Sequence, residues 1–154
     1  MFDVWLDLDK TIWNCYSESE VWAKQLESPF TLVDLERIDA ANGLCKIHEG
    51  FDSFIRNPRS NISSFNVITA GSRYNTFLSD QPSYCLLSLL GYLPLISNIV
   101  FKTKEFIKGD FLRELNNEKI VLIDDDDKQL ENARKNNIQV IDRKSFKTWK
   151  DIVL

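Results

Sequence analysis

The chain is poor in the residues that build soft-metal and cross-linked sites. Its 154 residues include a single histidine and three cysteines. Cys15, Cys45 and Cys85 are widely spaced and form no Cys-x-x-Cys pair, which indicates neither a disulfide framework nor a zinc site. Reduced thiols are the simplest account, and the expected compartment is the cytoplasm. Positive charge is not in excess, since 19 lysines and arginines against 23 aspartates and glutamates leave a net charge of −4. That balance argues against a nucleic-acid or anionic-membrane partner, either of which favours a basic face. No repeat or low-complexity segment is visible. Asp3 lies inside the first apolar alternation, so no signal peptide is expected. One long run, 84–101, is nearly free of charge. Gly91, Pro94 and Asn98 interrupt it, and it reads as helix, turn and a strand at 99–101 rather than a membrane span.

What is present suits one domain, 1–154, with its own core. Phe2, Val4, Leu6 and Leu8 alternate with Asp3, Trp5 and Asp7, the period of a β-strand. Asp7 and Asp9 share a face at its end, because residues two apart in a strand point the same way. An isolated Asp-x-Asp is most simply a solvated strand end, and its meaning depends on the rest of the chain.

Ser17 and Glu20 form a capping box for a helix running to about Glu27, and a second helix is expected over 31–41. A short helix follows at 49–56, then a strand at 65–69 that runs into Ala70-Gly71-Ser72-Arg73. A long helix begins near Tyr74, with Pro82 able to kink or split it. After the strand at 99–101 comes a helix carrying Phe111, Leu112 and Leu115. The apolar run 119–123 reads as a central parallel strand covered on both faces. It ends in Asp124-Asp125-Asp126-Asp127, followed by a helix with Leu130 and Ala133, a strand at 138–141, and a short C-terminal helix holding Phe146 and Trp149. Alternating strands and helices imply an α/β fold around a parallel sheet of about five strands, with sites beyond the strands' carboxyl ends. Asp7, Asp9, Thr69 and the acidic run 124–127 all obey that rule.

Within the acidic run, Asp126 and Asp127 suit a helix N-cap. Asp124 instead follows a buried strand. Beside Asp7, at about 4 Å and an effective dielectric near 20, it would be repelled by roughly 4 kcal/mol. Such a cluster calls for a cation, and magnesium, which prefers oxygen ligands, fits better than zinc. A carboxylate, a magnesium ion, a hydroxyl and a lysine are together the parts of a phosphoryl-transfer site.

Asp7-Leu8-Asp9-Lys10-Thr11 resembles the first motif, Asp-x-Asp-x-Thr, of the haloacid dehalogenase superfamily of phosphatases. Thr69 at a strand end resembles the second motif, a lysine before a helix the third, and Ile123-Asp124-Asp125 the fourth. The motifs stand in family order and cover about residues 2–142; the continuation to Trp13 is similar to the small magnesium-dependent branch. The resemblance implies a three-layer Rossmann-like fold with a small helical flap or minimal cap at 14–46. It implies a magnesium-dependent phosphomonoester hydrolase in which Asp7 is nucleophile and metal ligand. Asp9 is general acid and base, and reaches the metal through its carbonyl. Asp124 and Asp125 serve the metal, and Thr69, Ala70, Ser72, Arg73 and Lys108 bind phosphate. Ser72 is the alternative to Thr69, and Lys102 and Lys104 are alternatives to Lys108. The implied substrate is a small phosphorylated metabolite or a phosphoprotein, with no nucleic-acid or membrane partner; monomer and homodimer are both open.

Lys10 departs from the family, many members of which carry glycine or an uncharged residue there. Trp13, Tyr16 and Trp22 suit either a substrate pocket or the core. His48 suits a turn or the surface, and Arg73 suits substrate contact or a structural cap. The rivals are a signalling receiver, which also gathers aspartates, Thr/Ser and lysine around magnesium, and an inactive phosphatase-like scaffold. Motif order disfavours the first, and the presence of both Asp7 and Asp9 disfavours the second. Phosphomutase and dehalogenase activities are lesser alternatives.

Overall fold

The opening alternation folds as strand β1 (Phe2–Leu6), which lies in the middle of the protein's main sheet. The structure, a computed structural model, describes residues 1–15, 45–70, 82–102 and 105–154. Two short strands follow, β2 (Trp13–Cys15) and β3 (Cys45–Ile47), paired antiparallel with Trp13 opposite Ile47. The flap expected at 14–46 falls mostly on residues outside those described. The two helices expected between β2 and β3 lie outside the described residues, as do Tyr16 and Trp22.

Helix α1 (Phe51–Arg56) leads to β4 (Ile62–Ala70), and helix α2 (Pro82–Leu89) leads to β5 (Asn98–Lys102). Helix α3 (Lys108–Glu114), β6 (Ile120–Asp124), α4 (Asp127–Lys135) and β7 (Gln139–Asp142) complete the regular elements. Pro82 is the first residue of α2, where its missing N–H breaks no helical bond. The start expected near Tyr74 lies outside the described residues. The run 84–101 is helix, turn and strand as expected, and among the described residues no helix is long and apolar enough to cross a membrane.

All neighbours in the five-stranded sheet are parallel, in the order β5-β4-β1-β6-β7. The chain builds outward from β1 to β5, then returns to the other side of β1 for β6 and β7. The boundary of β1 and β6 is therefore a topological switch point, where the connections diverge and leave a crevice at the carboxyl edge.

Strand alternation divides the core into two. Val4, Leu6, Phe65, Val67, Val121 and Ile123 pack on one face with α1 and the C-terminal segment. Trp5, Ile68, Ile120 and Leu122 pack on the other against Leu112 of α3 and Ala133 of α4. β6 is buried along its whole length, which is why its sequence is a continuous apolar run. The expected C-terminal helix is instead two 3-10 turns, Arg143–Ser145 and Trp149–Asp151, with extended backbone at Phe146. Asp142 and Thr148 cap these turns by accepting from the N–H groups of Lys144 and Lys150. The break lets both aromatics reach the core. Trp149 centres a cluster with Phe51, Phe54 and Phe146 at ring separations of 4.9, 5.0 and 5.1 Å.

Candidate active site

Strand register dictates the centre of the site. Leu6 of β1 is level with Ile123 of β6, so the next residues, Asp7 and Asp124, leave adjacent strands side by side. The Asp7 N–H donates to the Ile123 carbonyl at 3.0 Å and holds the two chains together at that point. Both carboxylates are buried, Asp124 completely.

Lys108 stands between them. Its Nζ donates to Asp7 Oδ1 at 2.7 Å and to Asp124 Oδ2 at 2.5 Å, with the lysine only 2 % exposed. It is the first residue of α3, and two contacts to α4 set its position. Gln129 of α4 accepts from the Lys108 N–H at 2.9 Å and donates to the Phe106 carbonyl at 2.9 Å, clamping the entry to α3. Gly109 lets the helices touch. A Cβ there would lie 2.7 Å from Ala133 Cα and 2.8 Å from Ala133 N, closer than packed atoms tolerate.

The loop after β1 is wound tightly, with Thr11 and Ile12 both donating to the Leu8 carbonyl. This brings the Thr11 hydroxyl to 3.2 Å from Asp7 Oδ2 and 3.3 Å from Asp125 Oδ1, its single proton serving one at a time. Lys10 has φ 62, a left-handed conformation that costs an ordinary side chain about 1–2 kcal/mol. Glycine adopts it freely, which gives a physical reason for glycine, one of the residues that similar motifs carry there. Asp9 is exposed and accepts from Trp13 Nε1 at 2.9 Å. On the far side, Arg143 Nε donates to the Thr11 carbonyl at 3.0 Å, and His48 Nδ1 lies 2.8 Å from the same oxygen. His48, expected in a turn or at the surface, stands just before the turn at 49–50 and is half-buried support for the loop. Burial, with the charge of Arg143, keeps its pKa below the ordinary value.

The carboxylates are held in an uncomfortable state. Burial, reinforced by the charges of Asp125 and Asp9, pushes Asp7 up to about 6 against the pull of Lys108. Burial and the charge of Asp7 push Asp124 up to about 6 as well. Asp125 is raised by burial and by Asp124. Burial also disfavours the Lys108 ammonium, but Asp7 and Asp124 together outweigh it and raise its pKa. Asp126 is differently employed. It caps α4, accepting from Lys128 N at 2.8 Å, as expected for that part of the run.

Carboxylate oxygens of Asp7, Asp124 and Asp125 lie within 4.8 Å of one another. One oxygen from each of the three is thus available to a single cation, and magnesium is commonly held by carboxylates of this kind together with water and substrate phosphate. An all-oxygen set with excess negative charge fits a hard cation and not zinc.

Of the residues singled out from sequence, Asp7, Asp124, Asp125 and Lys108 converge. Thr69 is buried at the end of β4, the neighbour of β1, and Ala70 closes that strand opposite Lys102. Lys102 is exposed at the end of the edge strand β5, away from the Asp7–Asp124 pair that Lys108 joins. Ser72, Arg73 and Lys104 lie outside the described residues. Sequence reading assigned no role to Thr11, Gln129 or Arg143. Thr11 was within reach as the hydroxyl of Asp-x-Asp-x-Thr, whereas Gln129 and Arg143 carry no local signal.

No protein-family model matches the chain, and no curated protein sequence does. Solved structures match over nearly its whole length. A HAD-superfamily hydrolase of subfamily IA, variant 1, from Geobacter sulfurreducens PCA superposes with a TM-score of 0.60 at 12% identity, covering 92% of this chain and 89% of that one. A haloacid dehalogenase-like family hydrolase from Streptococcus pneumoniae gives 0.55 at 13% identity, covering 92% and 84%. The protein has the Rossmann-like α/β fold of haloacid dehalogenase-type hydrolases.

Proposed function

We propose that the protein is a magnesium-dependent phosphomonoester hydrolase that works through an aspartyl phosphate on Asp7. The observation that carries the reading is the pair Asp7 and Asp124 at the switch point, bridged by buried Lys108 and flanked by Asp125 and Thr11. Strand order supports it over the receiver alternative. In the main sheet the first strand lies between the second and fourth, whereas receivers follow the flavodoxin-like order with the first strand between the second and third.

Asp7 attacks phosphorus with one carboxylate oxygen, and Lys108 holds that carboxylate in place and faces the incoming charge. Asp9 protonates the leaving oxygen and then takes a proton from the water that releases phosphate. Thr69 and the backbone near Ala70, with Ser72 and Arg73, bind the phosphoryl oxygens. Asp7, Asp124, Asp125 and the Asp9 carbonyl would hold magnesium, which when bound would neutralise phosphate charge. The substrate is a small phosphorylated metabolite or a phosphoprotein.

The test is hydrolysis of an aryl phosphate with magnesium or with EDTA, by wild type, Asp7→Asn and Asp9→Asn. Full turnover is expected only in wild type with magnesium, with none in Asp7→Asn and a reduced but measurable rate in Asp9→Asn. Full activity in Asp7→Asn removes it as the nucleophile, and a phosphorylated protein that never turns over favours the receiver reading.

A further inference from the structure

Trp13 is completely buried, yet its indole N–H reaches outward to the exposed Asp9. The backbone ties the same two residues: Asp9 and Trp13 form an isolated bridge, and the Lys10 N–H donates to the Trp13 carbonyl at 2.7 Å. An exposed aspartate ordinarily samples several rotamers. Here, releasing the carboxylate leaves a buried indole donor without an acceptor, which costs about 1–3 kcal/mol. The link is therefore retained although water competes for Asp9.

An indole N–H can only donate. Bonded to Oδ1, it keeps that oxygen an acceptor whether Asp9 is charged or neutral, and an acid proton must sit on Oδ2. We infer that Trp13 is a positioning residue that pins Oδ1 of Asp9 and reserves Oδ2 for proton transfer with the leaving group. The inference rests on the phosphomonoesterase reading. In the first step an Asp7 oxygen bonds to phosphorus, the ester P–O bond breaks, and the Oδ2 proton passes to the departing oxygen. In the second, water bonds to phosphorus, the bond to Asp7 breaks, and the water's proton goes to Oδ2. Because Trp13 begins β2 and pairs with Ile47 of β3, the proton carrier is tied directly to the β2–β3 pair.

Trp13→Phe keeps a buried ring and removes the N–H. The readout is kcat/KM, which reports the phosphorylation step, on glycerol phosphate and on 2,4-dinitrophenyl phosphate. The alkoxide needs its proton and the dinitrophenolate does not. General acid catalysis contributes about 100- to 10,000-fold, and loss of alignment should remove about 10- to 100-fold on the alkyl ester and less than about threefold on the aryl ester. In an Asp9→Asn background, Trp13→Phe should add less than about threefold on either substrate. Equal losses on both substrates in the Trp13→Phe single variant overturn the inference, since damage to the fold does not distinguish leaving groups. Wild type inactive on both esters overturns the hydrolase reading instead. The pinning is also read without activity and without altering Trp13, as the indole N–H proton resonance in wild type and Asp9→Ala. An upfield move on losing the acceptor supports it, and an unchanged resonance overturns it.

Discussion

Replacing Lys108 by methionine should make the stability of the protein steeply dependent on pH. The substitution keeps an unbranched side chain of similar length and removes the charge between Asp7 and Asp124. Their oxygens lie within 4.8 Å, where two charges repel by about 3.5 kcal/mol at an effective dielectric of 20. Removal of one partner from a buried ion pair costs about 3–5 kcal/mol, the same range. The carboxylates can escape this cost by binding protons. Burial already pushes both up to about 6, above their ordinary value of 3.8, and loss of the lysine raises them further. A carboxyl whose folded pKa is raised is fully tolerated only below its unfolded value, and stability falls as pH rises through the folded pKa. In wild type the lysine's own charge is constant across this window, because its pKa is raised from an ordinary value of 10.5, so the pH dependence comes from the two carboxyls. Urea denaturation of metal-free Lys108→Met should therefore show a loss of about 3 kcal/mol near pH 8 and less than about 1 kcal/mol near pH 5. Magnesium should narrow the gap near pH 8, because carboxylates without the lysine between them bind the cation more tightly than the paired ones of wild type. An equal loss at both pH values would refute the reasoning and assign Lys108 a packing role only.

Gly109→Ala forces α3 off the backbone of Ala133, and should cost about 1–3 kcal/mol in urea denaturation and reduce turnover by displacing Lys108. Asp3 tests the opposite pH sign. Hydrogen bonds, chiefly from Ser63 and also from Ser64 and Asn117, lower its pKa against a partial burial penalty. A lowered carboxyl stabilises above its unfolded value and loses that contribution as pH falls through the folded pKa. Asp3→Ala should thus cost about 1 kcal/mol near neutrality and progressively less below about pH 4, measured as the stability difference from wild type. Lys10→Gly relieves the left-handed strain, about 1–2 kcal/mol, at an entropic cost of about 0.5–1 kcal/mol, so thermal stability should rise slightly. An unchanged KM in that variant assigns its ammonium to solvent, and a raised KM assigns it to substrate.

Much of this protein is written locally. The period of two in Phe2–Leu6, the apolar run of Ile120–Asp124 and their acidic ends identify strands and the edge at which a site must form. The cap at Asp126 is equally local, because its side chain accepts from the N–H groups of Lys128 and Gln129 just ahead of it. Tertiary structure decided the rest. The register of Leu6 with Ile123 makes Asp7 and Asp124 neighbours, and it depends on how two strands 117 positions apart pack. The approach of α3 to α4 through Gly109 aims Lys108, and no periodicity in either helix encodes it. Arg143 reaches Thr11 across 132 positions, and the C-terminal segment gives up its helix so that Phe146 and Trp149 can both be buried. Local chemistry sets which backbone each segment adopts. Which charges face one another is set only when the two cores close on the sheet, since burial is what turns adjacent aspartates into a site.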